Sequence, residues 1–223
     1  MQNQNDEKSY KRRYNKYDEL HLDGDLPDAI NNEKQYWFKK GKKHRDSDLP
    51  SVIYNNGTKK WYQNGKKHRD NDLPAVITSN GTQEWYQNGI LHRNNDLPAV
   101  ICSNGIQKWY QNNLLHRNND LPAIIECDGL YWYQNDQRHR ENDQPAIIWN
   151  DETKFWFQNG KKHRNNDQPA VIWSNGELEW YQNGKKHRDN HLPAVIKSNG
   201  ELGWYINGIN QKEGELDVCN IKG

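Results

Sequence analysis

The side chains best equipped for chemistry in this chain come as a set: His68 and Arg69 are adjacent, and Asp72 follows three residues after the arginine. An imidazole beside a guanidinium and a carboxylate could serve general acid–base catalysis or contribute to a metal site. Catalysis needs one assembled constellation, whereas this set returns as His44-Arg45-Asp48, His92-Arg93-Asp96, His116-Arg117-Asp120, His139-Arg140-Asp143 and His163-Arg164-Asp167. Recurrence of this kind points to construction. Each arginine is expected to tie down the Leu-Pro loop of its own repeat through the aspartate carboxylate.

The metal reading fails on spacing. Histidines carried on stacked two-strand hairpins would lie ~10 Å apart, and zinc ligands must sit ~2.0–2.1 Å from the ion. His187 and His191, with His191 in place of the usual aspartate, are the one close pair and offer two ligands at most. Cys102, Cys127 and Cys219 are odd in number and fall at unrelated phases of the pattern, so they read as reduced, unpaired thiols. There is no Cys-x-x-Cys, glycine-rich phosphate loop or nucleophile elbow. The chain reads as a non-enzyme with no catalytic residue, no metal and no cofactor.

Composition explains what must carry these side chains. Only 32% of the 223 residues are apolar, against roughly 45–50% in an average globular domain, and the mean hydropathy is −1.32. Yet 10 Trp and 12 Tyr are not the mark of a disordered chain. Little surface is buried per residue, in a regular way. The net charge of +1 supplies no general field for nucleic acid or anionic membrane. No apolar leader segment and no run approaching ~18 apolar residues occurs, so the expectation is an intracellular protein, neither secreted nor transmembrane.

The regularity is a repeat of 24 residues with one step of 23, kept by Trp37, Trp61, Trp85, Trp109, Trp132, Trp156, Trp180 and Trp204. Eight prolines and eight of the histidines keep the same interval, His21 and Pro27 marking a degenerate first copy. Asn64-Gly65 and Asn80-Gly81 both favour a two-residue type I′ hairpin turn. Counting outward from such turns, Tyr86 faces Leu91 and Gln87 faces Ile90, while Ile77 faces Glu84 and Val76 faces Trp85. One strand through Trp85 would serve both hairpins. Alternation then places Val76, Trp85 and His92 on one face and Ala75, Ile77, Tyr86 and Leu91 on the other. The proline in HRNNDLPA should break or bulge the ladder. The expected fold is all-β, an elongated antiparallel meander or solenoid of about eight hairpin repeats stabilised by stacking neighbours. At two strands per repeat and ~4.8 Å per strand it would form a rod on the order of 80 Å. The array is placed at residues 20–210, after a polar segment or cap at 1–19 and before a tail at 211–223.

The recurring aromatic-Tyr-x-Asn-Gly-x-x with one hairpin per 23 or 24 residues resembles MORN-type repeats. The longer form W-Y-Q-N-G-K-K-H-R-D-N-D-L-P-A-V-I looks like arrays abundant in giant DNA viruses of protists. The resemblance implies scaffolding, dimerisation or membrane association, and carries over no catalytic residue.

Departures from the repeat are where a specific function could reside. The Lys-Lys pair after the turn becomes Ile90-Leu91 and then Leu114-Leu115, and the position after the Ala-Val/Ile-Ile strand reads Tyr54, Thr78, Cys102, Glu126, Trp149, Trp173 and Lys197. Ile90, Leu91, Leu114, Leu115, Trp149 and Trp173 are therefore the candidate partner-binding residues, with at least one of the Ile/Leu rows exposed. Counting from the turns puts Ile90 and Leu114 on the Trp face and Leu91 and Leu115 on the Tyr face. The principal reading is a non-enzymatic scaffold for protein–protein interaction, in viral assembly or host interaction if the resemblance holds. The alternative is a peripheral membrane or phosphoinositide binder. A third reading is a single-stranded nucleic-acid binder, since Lys66-Lys67, Lys161-Lys162 and Lys185-Lys186 alternate with aromatics, but each basic pair is followed by acidic residues. Unpaired terminal edges invite an end-to-end homodimer unless KRRYNKY and the tail cap them.

Overall fold

Asn-Gly dipeptides shape the chain in two different ways. The fold is that of a computed structural model, which describes residues 11–12, 26–31 and 33–211. His21, most of KRRYNKY, Cys219 and the tail lie outside the described residues. At Asn64-Gly65 both residues are left-handed, with φ of 50° and 83°, as a two-residue type I′ turn requires. The register there is the expected one, Tyr62 opposite Lys67 and Gln63 opposite Lys66.

Asn80-Gly81 makes a different turn. Thr78 N–H donates to Thr82 O at 2.9 Å and Gly81 N–H donates to Thr78 O at 2.9 Å, so the loop holds three residues. Gly81 takes φ 91° while Asn80 stays out of the left-handed region, the pattern of a type I turn closed by a left-handed glycine. The Asn80 carboxamide accepts from Thr82 N–H at 3.0 Å and holds that shape. The extra loop residue moves the register by one. Val76 faces Glu84 and Ile77 faces Gln83, correcting the pairing expected from a two-residue turn.

The strand expected to serve both hairpins is interrupted at its tryptophan. Gln83–Glu84 belongs to a long ladder and Tyr86–Gln87 to a separate hairpin with Ile90–Leu91. Trp85 between them donates its N–H to Ala99 O at 2.8 Å and accepts from His92 N–H at 3.2 Å. Each repeat thus gives two short strands to the ladder and one lateral hairpin. The chain packs as two compact halves, residues 1–113 and 114–223. In the first half the antiparallel ladder runs Lys11–Arg12, Ala29–Ile30, Lys34–Tyr36, Val52–Tyr54, Lys59–Lys60, Val76–Ile77, Gln83–Glu84, Val100–Ile101 and Gln107–Lys108. In the second it runs from Ile124–Ile125 through Gly129–Tyr131, Ile147–Trp149, Lys154–Phe155, Val171–Ile172, Leu178–Glu179 and Val195–Ile196 to Leu202–Ile206. The protein is an all-β hairpin meander. No helix among the described residues is long and apolar enough to cross a membrane.

The core is the seam between ladder and hairpins, rather than a Trp face and a Tyr face. Val52, Val76, Val171 and Val195 are 0–5% exposed on the ladder side, and Trp37 through Trp180 are 5–6% exposed. In the second half Trp132, Ala146, Ile147, Phe155, Phe157 and Val171 form one cluster. Ala75, Ala99, Ala123, Ala146, Ala170 and Ala194 are wholly buried. Where the same slot holds Ser51 or Asp28, the side chain accepts the peptide N–H of Tyr62 at 2.8 Å or Phe38 at 2.6 Å. Ala75→Ser should therefore cost well under 1 kcal/mol, and Ala75→Leu about 1–3 kcal/mol from overpacking. Urea unfolding of the two variants checks this, and equal midpoints would show that the slot has room.

Candidate functional site

The arginines do tie down the loops, but not through the aspartate of their own repeat. Arg69 donates Nε and Nη2 to the two carboxylate oxygens of Asp48, both at 2.8 Å, and Nη1 to Pro74 O at 3.4 Å. Its guanidinium carbon lies 3.9 Å from the ring centroid of Trp61, whose Nε1–H donates to Asp48 O at 3.0 Å. The aspartate comes from the preceding repeat, a correction to the expected contact. Left-handed Asn71 and Asp72, φ 57° and 53°, turn the loop, and the Asp72 carboxylate goes to Arg93 of the next repeat. Arg140 with Asp120, Arg164 with Asp143 and Arg188 with Asp167 repeat the fork. One repeat later Lys212 stands where the arginine would be, and His191 stands in place of the aspartate that it would bind.

The histidines bridge repeats as well. Asn64 N–H donates to His44 Nδ1 at 3.2 Å, so Nε2 carries the ring hydrogen and donates to Asp46 at 2.9 Å. His68, His116, His139, His163 and His187 accept from Asn88, Asn135, Asn159, Asn183 and Asn207 in the same way. His187 has both nitrogens engaged, Nε2 with Asp189 at 3.0 Å, and His191 gives its carbonyl to Trp204 Nε1–H at 3.2 Å. Among the described residues no three His, Cys, Asp or Glu side chains are placed to hold a metal ion. Cys102 and Cys127 are free thiols. His92 is the exception, its Nδ1 buried without a partner. There the turn is Asn112-Asn113, and Asn113 Oδ1 accepts Leu91 N–H at 2.8 Å, a bond that glycine cannot make.

Hydrogen bonds from Arg69, Arg140 and Arg188 hold the carboxyls of Asp48, Asp120 and Asp167 below the ordinary aspartate range. A depressed folded pKa gives stability that is present above the unfolded value of ~3.9 and lost as pH falls through the folded one. The carboxylates are 48–53% exposed, so each pair should contribute only about 0.2–1 kcal/mol. The urea midpoint should hold from pH 7 to pH 5 and drop below about pH 4. A midpoint unchanged at pH 3 would leave the Arg-Asp ladder without energetic weight.

The two lysines after each turn differ in environment, which their charge alone does not show. Lys42, Lys66, Lys161 and Lys185 are exposed, whereas Lys43, Lys67, Lys162 and Lys186 are half-buried. Lys67 Nζ lies 4.1 Å from the Tyr86 ring centroid, and burial lowers its pKa. Lys186 pairs with buried Glu179 at 3.0 Å, and the Tyr181 hydroxyl donates to the same carboxylate at 2.9 Å. The apolar replacements divide along this line. Ile90 and Leu114 are each 39% exposed, Leu115 is 8% exposed, and Leu91 is half-buried. One row is therefore surface and the other faces the seam. Trp149 and Trp173 are half-buried against the core cluster, edge-on to Phe155 at 4.8 and 5.4 Å. The Trp173 indole N–H is buried without an acceptor, while that of Trp149 has the Tyr131 hydroxyl beside it. No family model matches the chain, and no curated protein matches it either.

Proposed function

We propose that the protein is a non-enzymatic repeat scaffold that docks another protein through apolar side chains set into a polar surface. One observation carries this reading: Ile90 and Leu114 are 39% exposed in slots that hold lysine in four other repeats. The side chains with chemical potential, His, Arg and Asp, are meanwhile largely taken up in contacts between repeats. By its MORN-like motif alone, the setting would be viral assembly or host interaction inside a cell. Ile90→Lys/Leu114→Lys tests the reading, with circular dichroism as the fold control. Tagged wild-type protein should capture a protein partner from its native cell that the double variant does not. Equal capture by both sinks the assignment. Co-sedimentation with phosphoinositide vesicles, or a salt-sensitive shift of a single-stranded oligonucleotide, would favour a lipid or nucleic-acid role instead.

A further inference from the structure

Two ladder positions show how a carboxylate fits among the inward lysines. Glu179 lies between Val171 and Val195, pairs with Lys186 at 3.0 Å and accepts the Tyr181 hydroxyl at 2.9 Å. Its charge also favours the ammonium of Lys162, one repeat earlier. Glu84 holds the same place between Val76 and Val100 and favours Lys67 in the same way. Between Val52 and Val76 that place belongs to Lys60. The inward lysines that correspond there to Lys162 and Lys186 are Lys43 and Lys67. A cation thus stands among cations where Glu84 and Glu179 put an anion.

Tyrosine rings gather these ammonium groups. Lys34 and Lys60 lie 4.7 and 4.9 Å from the ring centroid of Tyr54, and Lys43 lies 5.8 Å from that of Tyr36 and 5.2 Å from that of Tyr62. Tyr54, Lys34, Lys43 and Lys60 are all half-buried. Burial pushes the Tyr54 phenol up, but a hydrogen bond with Lys60 and the charges of Lys60, Lys34 and Lys43 outweigh it and leave the phenol below the ordinary tyrosine value. The ring therefore sits in a positive field. Among the described residues Lys34, Lys43 and Lys60 have no carboxylate partner, whereas Lys39 of the same half has Asp46 at 2.8 Å.

We propose that the cluster of Lys34, Lys43 and Lys60 around Tyr54 binds the carboxylates of an acidic segment of a partner protein, in the way Glu179 is held within the chain. Ammonium groups brought together at a half-buried surface repel one another, and an anion from outside removes that repulsion. A carboxylate is favoured over other anions because the array already places one at this ladder position, between a lysine and a tyrosine hydroxyl. Tyr62 stands to Lys60 in the sequence as Tyr181 does to Glu179. The site shares no residue with Ile90 and Leu114, and it adds a second contact of defined chemistry to the scaffold reading.

The test titrates the full chain into a fluorescent peptide of alternating Glu and Gly, with the matching Gln peptide as control, and follows anisotropy at low salt. The Glu peptide should bind saturably and more weakly as salt rises, and the Gln peptide should not bind. Lys60→Glu should weaken binding by roughly tenfold or more with an unchanged circular dichroism spectrum, because the same place accommodates Glu84 and Glu179. Lys60→Gln, which removes the charge without adding one, carries the same test should the glutamate disturb the fold. Lys59→Glu makes the same change in net charge at the adjacent exposed residue, on the other face of the ladder, and should leave affinity within about twofold. Absent saturation, or equal losses in the Lys59 and Lys60 variants, would overturn the proposal. So would a Lys60-dependent shift of a single-stranded oligonucleotide or of phosphatidylserine vesicles without binding of the Glu peptide, since the cluster would then serve phosphate esters. Ile90→Lys/Leu114→Lys should bind the peptide no more weakly than wild type, so this claim and the scaffold reading fail separately.

Discussion

Trp156→Ala should lower the stability of the half spanning residues 114–223 by about 3–5 kcal/mol, the range for deleting a buried aromatic side chain. The ring is 6% exposed, stacked under Arg164 at 3.9 Å, and its Nε1–H donates to Asp143 O at 2.9 Å. Arg164 forks onto the same Asp143, so the variant uncovers a guanidinium and a loop carbonyl together. The backbone bonds, Trp156 N–H to Ala170 O and His163 N–H to Trp156 O, can survive the change, so the loss is assigned to the side chain. Trp204→Ala is the internal comparison. That ring is half-buried and its Nε1–H donates to the His191 carbonyl at 3.2 Å with no described arginine stacked on it, so its loss should cost about 1 kcal/mol or less. Hydrogen exchange resolves the two by position, because in a repeat array stability is a sum of local and nearest-neighbour contributions. Equal loss of protection in both variants would mean that the Arg-Trp-Asp stack does not set the strength of a repeat.

The fold class and the lateral hairpins were legible because they depend on local signals, the Trp interval and the Asn64-Gly65 turn. The rest failed for physical reasons. Asn64-Gly65 and Asn80-Gly81 are the same dipeptide, but the Asn80 side chain bonds Thr82 N–H, while Asn64 N–H is spent on His44 of the preceding repeat. Only the assembled array distinguishes the two turns. The arginine contact was misplaced because a periodic sequence is ambiguous about neighbours. An aspartate three residues after Arg69 and one 21 residues before it occupy the same position in a repeat of 24. Two adjacent lysines do not show which of them is solvated, since an alkyl stem can be buried while its ammonium rests on an aromatic face. Lys67 over Tyr86 does so at 4.1 Å. Among the candidate site residues, Ile90 and Leu114 are on the surface, whereas Trp149 and Trp173 pack on the core.

The inward slot yields the second large expected effect: lysine is the common residue of the repeat at all four apolar positions, yet it should be tolerated at 90 and 114 and not at 91 and 115. Ile90→Lys should change stability by no more than about 0.5 kcal/mol, as exposed substitutions do. Leu91→Lys should cost on the order of 2 kcal/mol. In the preceding repeat Lys67 is favoured by the charge of Glu84. Carrying the register across Val100 puts Lys108 in the place of Glu84, so an ammonium at 91 would meet a cation instead of a carboxylate. Leu115→Lys faces a related cost at an 8% exposed position, where Tyr131 occupies the matching ladder place. The cause can be isolated with Lys108→Glu, which recreates at 91 the environment that Lys67 has. A double-mutant cycle of Leu91→Lys and Lys108→Glu, followed by urea unfolding, should return a favourable coupling of about 1 kcal/mol, within the range for residues in contact. That coupling should shrink in high salt less than a surface pair's would, since the slot is half-buried. Zero coupling would mean that leucine is held at 91 by packing alone and that the charge at 108 has no part in the choice.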